Sequence, residues 1–373
     1  MKIGIITPFP PYRGGISKHS DNLYKKLIKS SDVTIFNFTR QYPNILFPGK
    51  NQYLDNFSSY DSNMIRIIDS LNPISWRRTA KKIIEKKIDR LIFRYWNPFF
   101  IPCYIYIIRY LRKKKYNIKI YSICDNSMSH ENFFLQKYLM KKFIGLLDGV
   151  ITMSAYVKNE IVSLVESVNC ENLFLPILDD LEPPLDIKIA KDRLGLDKNK
   201  INFLFFGLIR EYKGLDILLN AINNIDKRIL NQFNLLIAGE SYINLSKYKK
   251  NIHSGLKDNI IWYNEYIPDH SVKLYFSAAD YVILPYRSGS QSGIIPMSYH
   301  YGKPVIVSNV SGLVETVNDH TGFIFENENI TKLTSILEYI INNHSSMNFK
   351  KINIMKDKLS TDNYAKKILK FIK

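Results

Sequence analysis

Cysteine is scarce. Cys103, Cys124 and Cys170 are odd in number, far apart and set in apolar surroundings, which speaks for reduced core residues over a disulfide frame or a zinc site. Long apolar runs are missing too: no uninterrupted stretch reaches the roughly 18 residues that a membrane-spanning helix needs. The opening MKIGIITPFP has no charged leader followed by an apolar block and a cleavage site, so a cytoplasmic protein is expected. Acid is in deficit, with 34 Asp and Glu against 52 Lys and Arg and a net charge of +18. The excess gathers in the first half, at Arg77, Arg78, Lys81, Lys82, Lys86 and Lys87 and again over Arg112–Lys115. Such clusters can face nucleic acid, an anionic membrane or acidic substrates; a lysine-, asparagine- and isoleucine-rich composition accounts for part of them. Repeats at solenoid periods and low-complexity tracts are absent.

What is present is enough for two cores. The chain has 373 residues, 46% of them hydrophobic, which suits a globular protein of two domains. Short apolar runs recur with helical stretches between them: KIGIITP, VTIFNF, RLIFRYW, KIYSIC, GVITMS and NLFLPI, then INFLFFG, LLIAG, IIWYN, YVILPY, PVIVSN and TGFIF. That alternation predicts parallel sheets covered on both faces, in two copies, hence an α/β protein of two doubly wound domains. The seam falls in Asp179–Leu185, where acidic residues and a proline pair interrupt the pattern; the segment reads as a hinge, with a divalent-metal site at the Asp pair as the other reading. The expected limits are 1–180, a linker over 181–198, a second domain over 199–355, and a terminal helix over 356–373. The apolar IPCYIYII reads as a core helix or as one lying partly in a membrane interface.

Three loops carry chemistry. YVILPY stops in Ser288-Gly289-Ser290-Gln291-Ser292-Gly293, and a helix follows as far as Gly302. A strand feeding such a loop suits an anion, because backbone N–H groups at a helix start are unpaired and carry the positive end of its dipole; an ordinary surface loop is the alternative. Gly207 ends another buried strand, and Arg210 and Lys213 follow before LDILLNAI. Arginine offers a fork and lysine a compact charge, a pair able to hold a diphosphate. Near the start, Gly14-Gly15 after the first strand lets a ligand approach the backbone, and His19 reads as a surface helix residue. His130, in Asp125-Asn126-Ser127-Met128-Ser129-His130-Glu131 beyond KIYSIC, stands where sheet ligands bind.

The succession from Asp280 to Phe325, with Gly302-Lys303-Pro304, VIVSN, Ser311-Gly312-Leu313-Val314-Glu315 and TGFIF, resembles the signature of the retaining, nucleotide-sugar-dependent glycosyltransferases of the large family usually numbered four, the group 1 type. The Gly207–Gly214 spacing resembles that family's donor-phosphate loop, although Leu208 stands where most members have arginine and Arg210 matches a variant. The resemblance implies the GT-B fold, two Rossmann-like doubly wound domains facing across a cleft. It implies His130 as a catalytic residue facing the donor sugar and Arg210 and Lys213 on the diphosphate. Tyr266 and Ile267 would meet the base through their backbone, and Gln291, Ser292, Gly293 and Ile294, with Gly14 and Gly15, would complete the donor site. The two glutamates that many members carry in the donor loop are missing: their places hold Gly289 and Met297, or Ser290 and Ser298 in a register shifted by one. This is the Gln-Ser-Gly variant.

The expected activity is transfer of a sugar from a nucleoside diphosphate sugar to a hydroxyl acceptor with retention, with no metal and no other cofactor. The expected partners are the nucleotide sugar, a glycan or glycolipid acceptor, and an anionic membrane touched peripherally from the cytoplasm; nucleic acid is not expected. The second reading is a catalytically degenerate chain of the same fold that binds polyanions.

Overall fold

The computed structural model describes residues 1–43, 52–54, 63–127, 135–344, 347, 349 and 351–373. They divide into two compact units, Met1–Asp179 with Ser360–Lys373, and Asp180–Leu359.

In the first unit strands and helices alternate much as the apolar runs predict, except that β3 is not among those runs and NLFLPI is not a strand beyond Asn172: β1 (Lys2–Ile6), α1 (Gly15–Leu27), β2 (Asp32–Arg40), β3 (Met64–Asp69), α2 (Pro73–Glu85), β4 (Arg90–Tyr95), α3 (Ile101–Lys113), β5 (Lys119–Cys124), α4 (Gln136–Ile144), β6 (Gly149–Thr152), α5 (Ala155–Leu164) and β7 (Cys170–Asn172). The described strands form one parallel sheet in the order β3-β2-β1-β4-β5-β6-β7. Helices α2 to α5 close one core against it and α1 covers the other face. IPCYIYII opens α3, which buries Cys103, Tyr104, Ile107, Ile108 and Leu111 and is thus a core helix with one outward stripe. Cys103 and Cys124 are buried and Cys170 is half-buried, all three free. Among the described residues no helix is long and apolar enough to cross a membrane.

The second unit repeats the scheme with α6 (Ile187–Arg193), β8 (Ile201–Phe206), α7 (Leu215–Asn223), β9 (Phe233–Ala238), α8 (Leu245–Lys250), β10 (Ile260–Tyr263), α9 (Asp269–Ala278), β11 (Tyr281–Leu284), α10 (Ile294–His300), β12 (Val305–Ser308), α11 (Ser311–Val314), β13 (Gly322–Phe325), α12 (Ile330–Asn343) and α13 (Ile352–Lys358). Its parallel sheet runs β10-β9-β8-β11-β12-β13. Residues 181–198, read from the sequence as a linker, lie inside this unit: α6 packs on α9, and Glu182 pairs with Lys273. The last helix, α14 (Thr361–Ile372), lies on α1 in the first unit, burying Tyr364, Ala365, Ile368 and Ile372, and Lys26 of α1 pairs with its Asp362 at 3.0 Å and with Asp179 at 2.7 Å.

Strand order dictates where a ligand fits. In each sheet the connections run outward in opposite directions from one adjacent pair, β1 and β4 in the first and β8 and β11 in the second. The crossover helices diverge there and leave a crevice at the strands' carboxyl ends.

Candidate active site

Both loops singled out in the second half leave neighbouring strands at that switch point. Strands β8 and β11 pair through Phe203 with Tyr281 and Leu204 with Val282. The chain leaving β8 passes Gly207 and reaches the short 3-10 turn Glu211–Lys213; the chain leaving β11 becomes the loop that opens α10.

Lys213 is the central side chain. It is only 8% exposed, and its Nζ lies 5.6 Å from the centre of the Tyr286 ring. Burial lowers its pKa from the ordinary lysine value and the Arg210 charge adds to this, with Tyr212 opposing. Room for the ammonium comes from Gly207, where a Cβ would sit 3.1 Å from Lys213 Nζ; the positive φ of 97° there also favours glycine. A buried cation next to a ring, with its charge disfavoured by burial, is an arrangement that an incoming anion relieves.

The second loop is fastened to the first. Arg287 donates its backbone N–H to Tyr212 O at 2.8 Å and its guanidinium to Glu211 O at 3.0 Å, and forks onto Asp216 at 2.8 and 2.5 Å. Burial pushes the Asp216 carboxyl up, but the Arg287 bonds and charge and the backbone N–H groups outweigh it and hold the pKa below the usual carboxylate range. From the other side α11 braces the loop: a Cβ on Gly312 would come within 2.2 Å of Ser290, so only glycine permits this approach. Tyr286 is buried and shares a hydrogen bond with Ser292; burial raises its phenol to about 12 against the effect of that bond. Ile294 closes the arrangement, its side chain 3.8 Å from the place of a Gly207 Cβ.

The start of α10 is less open than the sequence suggests. Ile294 N–H donates to Ser292 Oγ at 3.3 Å and Ile295 N–H to Ser292 O at 3.4 Å. A phosphate arriving at this helix, which is only seven residues long, competes with Ser292 for the first donors.

The other expected residues are spread out. Arg210 leans over the Tyr242 ring at 5.4 Å while its charge still reaches Lys213. Tyr266 and Ile267 follow β10 in the turn before α9, Tyr266 exposed and Ile267 buried, at the carboxyl edge of the same sheet. Gly14 and Gly15 lie in the first unit at the start of α1, with open space where a Cβ would point. His130 lies outside the described residues. His19, read as a surface helix residue, is half-buried: its Nδ1 is enclosed, and desolvation with the charges of Arg94 and Lys18 pushes its pKa down to about 3. Arg94 bonds Asp125 at 2.6 and 2.5 Å beneath the same strand ends. Sequence reasoning missed Tyr286, Arg287 and Asp216. Their signal is slight, an aromatic-arginine pair after an apolar strand and an acid two residues past a glycine.

Residues 186–358 match the family model described as glycosyl transferases group 1. Over 356 residues the chain is 26% identical to an uncharacterized glycosyltransferase of Methanocaldococcus jannaschii, covering 92% of this chain and 89% of that protein. Over 260 residues it is 25% identical to an uncharacterized 41.2 kDa protein in the cps region of Klebsiella pneumoniae, covering 69% of this chain and 63% of that one. Among solved structures, a lipopolysaccharide outer core galactosyltransferase, WaaB, superposes with a TM-score of 0.72 at 15% identity over 100% and 99% of the two chains. Anabaena Alr3699/HepE in complex with UDP does so with a TM-score of 0.71 at 14% identity over 99% of each. At these identities the likeness to the solved structures is one of fold, two Rossmann-like domains.

Proposed function

We propose, from the match of residues 186–358 to the glycosyl transferases group 1 model, that the chain transfers a sugar from a nucleoside diphosphate sugar to a hydroxyl acceptor, with retention at the anomeric carbon. The observation that carries this reading is Lys213, an ammonium 8% exposed at the sheet's switch point. When the glycosidic bond to the diphosphate breaks, negative charge grows on the departing oxygens; Lys213 stands ready-oriented for it, and Arg210 adds a second charge from the same loop. The donor loop has no carboxylate in either register, so the proposed route is departure of the diphosphate and attack of the acceptor hydroxyl on the face it leaves.

Two cations in one loop take the place that Mg²⁺ fills in other phosphoryl-leaving reactions, and the transfer is proposed to run without a metal. His130 is assigned to the donor sugar, Gln291, Ser292, Gly293 and Ile294 to the donor loop's contacts, Tyr266 and Ile267 to the base, and Gly14 and Gly15 to backbone contact with the donor. A lipid-linked or surface-polysaccharide acceptor, met by a protein peripheral to an anionic membrane, is supported by the cationic helices of the first unit and by the likeness in fold to a lipopolysaccharide outer core galactosyltransferase.

The test is a panel of UDP-, GDP- and dTDP-sugars. A donor at about a hundred times its dissociation constant raises stability by roughly 2.7 kcal/mol, visible as a thermal shift, and its slow hydrolysis or transfer should persist in a chelator. A panel with neither shift nor turnover, combined with tight polyanion binding, would replace the transferase by the degenerate binding protein.

A further inference from the structure

A groove of about 740 Å³ runs along the outward stripe of α3, between α2 and α4. Those helices cover the sheet face opposite α1 and α14. Its floor is carbon: Trp76 from α2, Pro102, Ile105 and Tyr106 from the first half of α3, and Leu139 from α4. Its rim is cationic: Arg109 and Lys113 from the last turns of α3, Lys114 just after it, Arg77 from α2 and Lys142 from α4. No acidic residue is among the described residues that line it. Lysines at a helix end are ordinary, but here three helices turn five cations toward one apolar trough.

We infer that this groove binds a phosphate-headed membrane lipid, its headgroup at the cationic end of α3 and its chain along the apolar floor. Polarity changes along the helix itself, from Pro102, Ile105 and Tyr106 to Arg109, Lys113 and Lys114, over about 18 Å at 1.5 Å per residue. That gradient matches an amphiphile, whose charged and apolar parts lie end to end. The size is that of a small-ligand site. A single-stranded nucleic acid would need open ring faces on which to stack, and three of the four rings here already have partners. Trp76 meets Tyr106 edge to face at 5.6 Å and donates its indole N–H to Asp69 O, while Lys142 Nζ covers the Tyr138 face at 4.2 Å. The inference rests on the reading of the first unit as membrane-facing, and narrows it from a diffuse charge to a defined site that needs no turnover.

Two measurements test it on the full chain. The first is co-sedimentation with phosphatidylcholine vesicles, with and without phosphatidylglycerol. The protein is compared as wild type, as Arg109→Gln/Lys113→Gln/Lys142→Gln, and as the equally charged Lys250→Gln/Lys257→Gln/Lys332→Gln, whose residues are exposed in the second unit. The groove variant is expected to lose at least roughly tenfold in binding to the anionic vesicles, the comparison variant less than about twofold. The second is tryptophan fluorescence titrated with dodecyl phosphate or inorganic phosphate, where only the former should bind, and only to protein with an intact groove. Equal losses in the two variants overturn the groove while leaving membrane contact standing. Dodecyl phosphate binding without vesicle binding removes the membrane reading and leaves the groove. A thymidine oligonucleotide that binds more tightly than vesicles and is lost in the groove variant overturns the inference in favour of nucleic acid.

Discussion

Replacing Lys213 by methionine separates the cost of a buried charge from its use. The substitution keeps the stem that lies beside Tyr286 and removes only the ammonium. This charge sits in a place 8% exposed, and burial holds its pKa below the ordinary value, so without donor Lys213→Met is expected to leave stability unchanged or raise it by about 1 kcal/mol. With donor present the sign reverses. A unit charge about 4 Å from the ammonium at an effective dielectric near 20 gains on the order of 4 kcal/mol, and the part of this that grows only as the bond breaks appears in the rate. The expected loss in kcat is at least roughly a hundredfold, about 3 kcal/mol.

The accompanying pH effect has a fixed direction. With the free protein's Lys213 pKa depressed, the unfolded chain binds more protons between that pKa and the usual lysine value, so this group makes the protein more stable as pH rises through the window. A bound diphosphate pulls the pKa back up, so binding takes up protons and weakens with rising pH in the same window. Initial rates with the best donor, denaturant midpoints, and calorimetry of UDP in two buffers of different ionisation enthalpy measure all three. A folded Lys213→Met enzyme with wild-type rate and UDP affinity would refute the reasoning and remove the active-site assignment with it.

Lys303, in the loop before β12, has its pKa lowered to about 8, chiefly by burial, with Lys191 adding to the shift and Asp280 opposing it. Stability should therefore rise between about pH 8 and the usual lysine pKa by on the order of 2–3 kcal/mol, and Lys303→Met should flatten that rise in denaturant titrations taken across the range. Arg287→Ala breaks a half-exposed fork, so it should cost no more than about 1 kcal/mol of stability; because it removes the side-chain bonds to Glu211 O and Asp216 while the backbone bond to Tyr212 stays, the donor loop is loosened and KM for the donor should rise more than kcat falls. His130→Ala should lower turnover while nucleoside diphosphate affinity, measured by calorimetry, stays nearly intact. Gln291→Ala should change the ranking of sugars in a donor panel with little effect on UDP affinity; an unchanged ranking counts against that residue's place on the sugar.

The fold was legible because most central strands are short apolar runs buried on both faces, as in VIVS of β12, a pattern that needs no knowledge of partners across space; the outer strands β3 (MIRIID) and β7 (CEN) are only partly buried and mixed in composition, and they escaped it. Lys213 was legible for a related reason: glycine before it and glycine after it mark a tight loop, and a charged residue in such a loop at a strand's end has few other uses. Tyr286 and Arg287 were not. Their importance lies in what stands opposite them, Lys213 Nζ and the Asp216 carboxyl, and those residues are 73 and 71 positions away, beyond the reach of any local pattern. The linker over 181–198 was misread because acid and proline interrupt an apolar run equally at a domain seam and at the entrance to a short helix. In α6 only Ala190 and Lys191 are buried, and its anchor is the pair Lys191 and Asp280 at 3.1 Å, again a contact across sequence. Local spacing thus finds residues that need a particular backbone, such as Gly207, Gly312 and the loops they allow. It does not find residues that are specified by the charge or ring they meet, and at this site those are the ones that hold the two loops together.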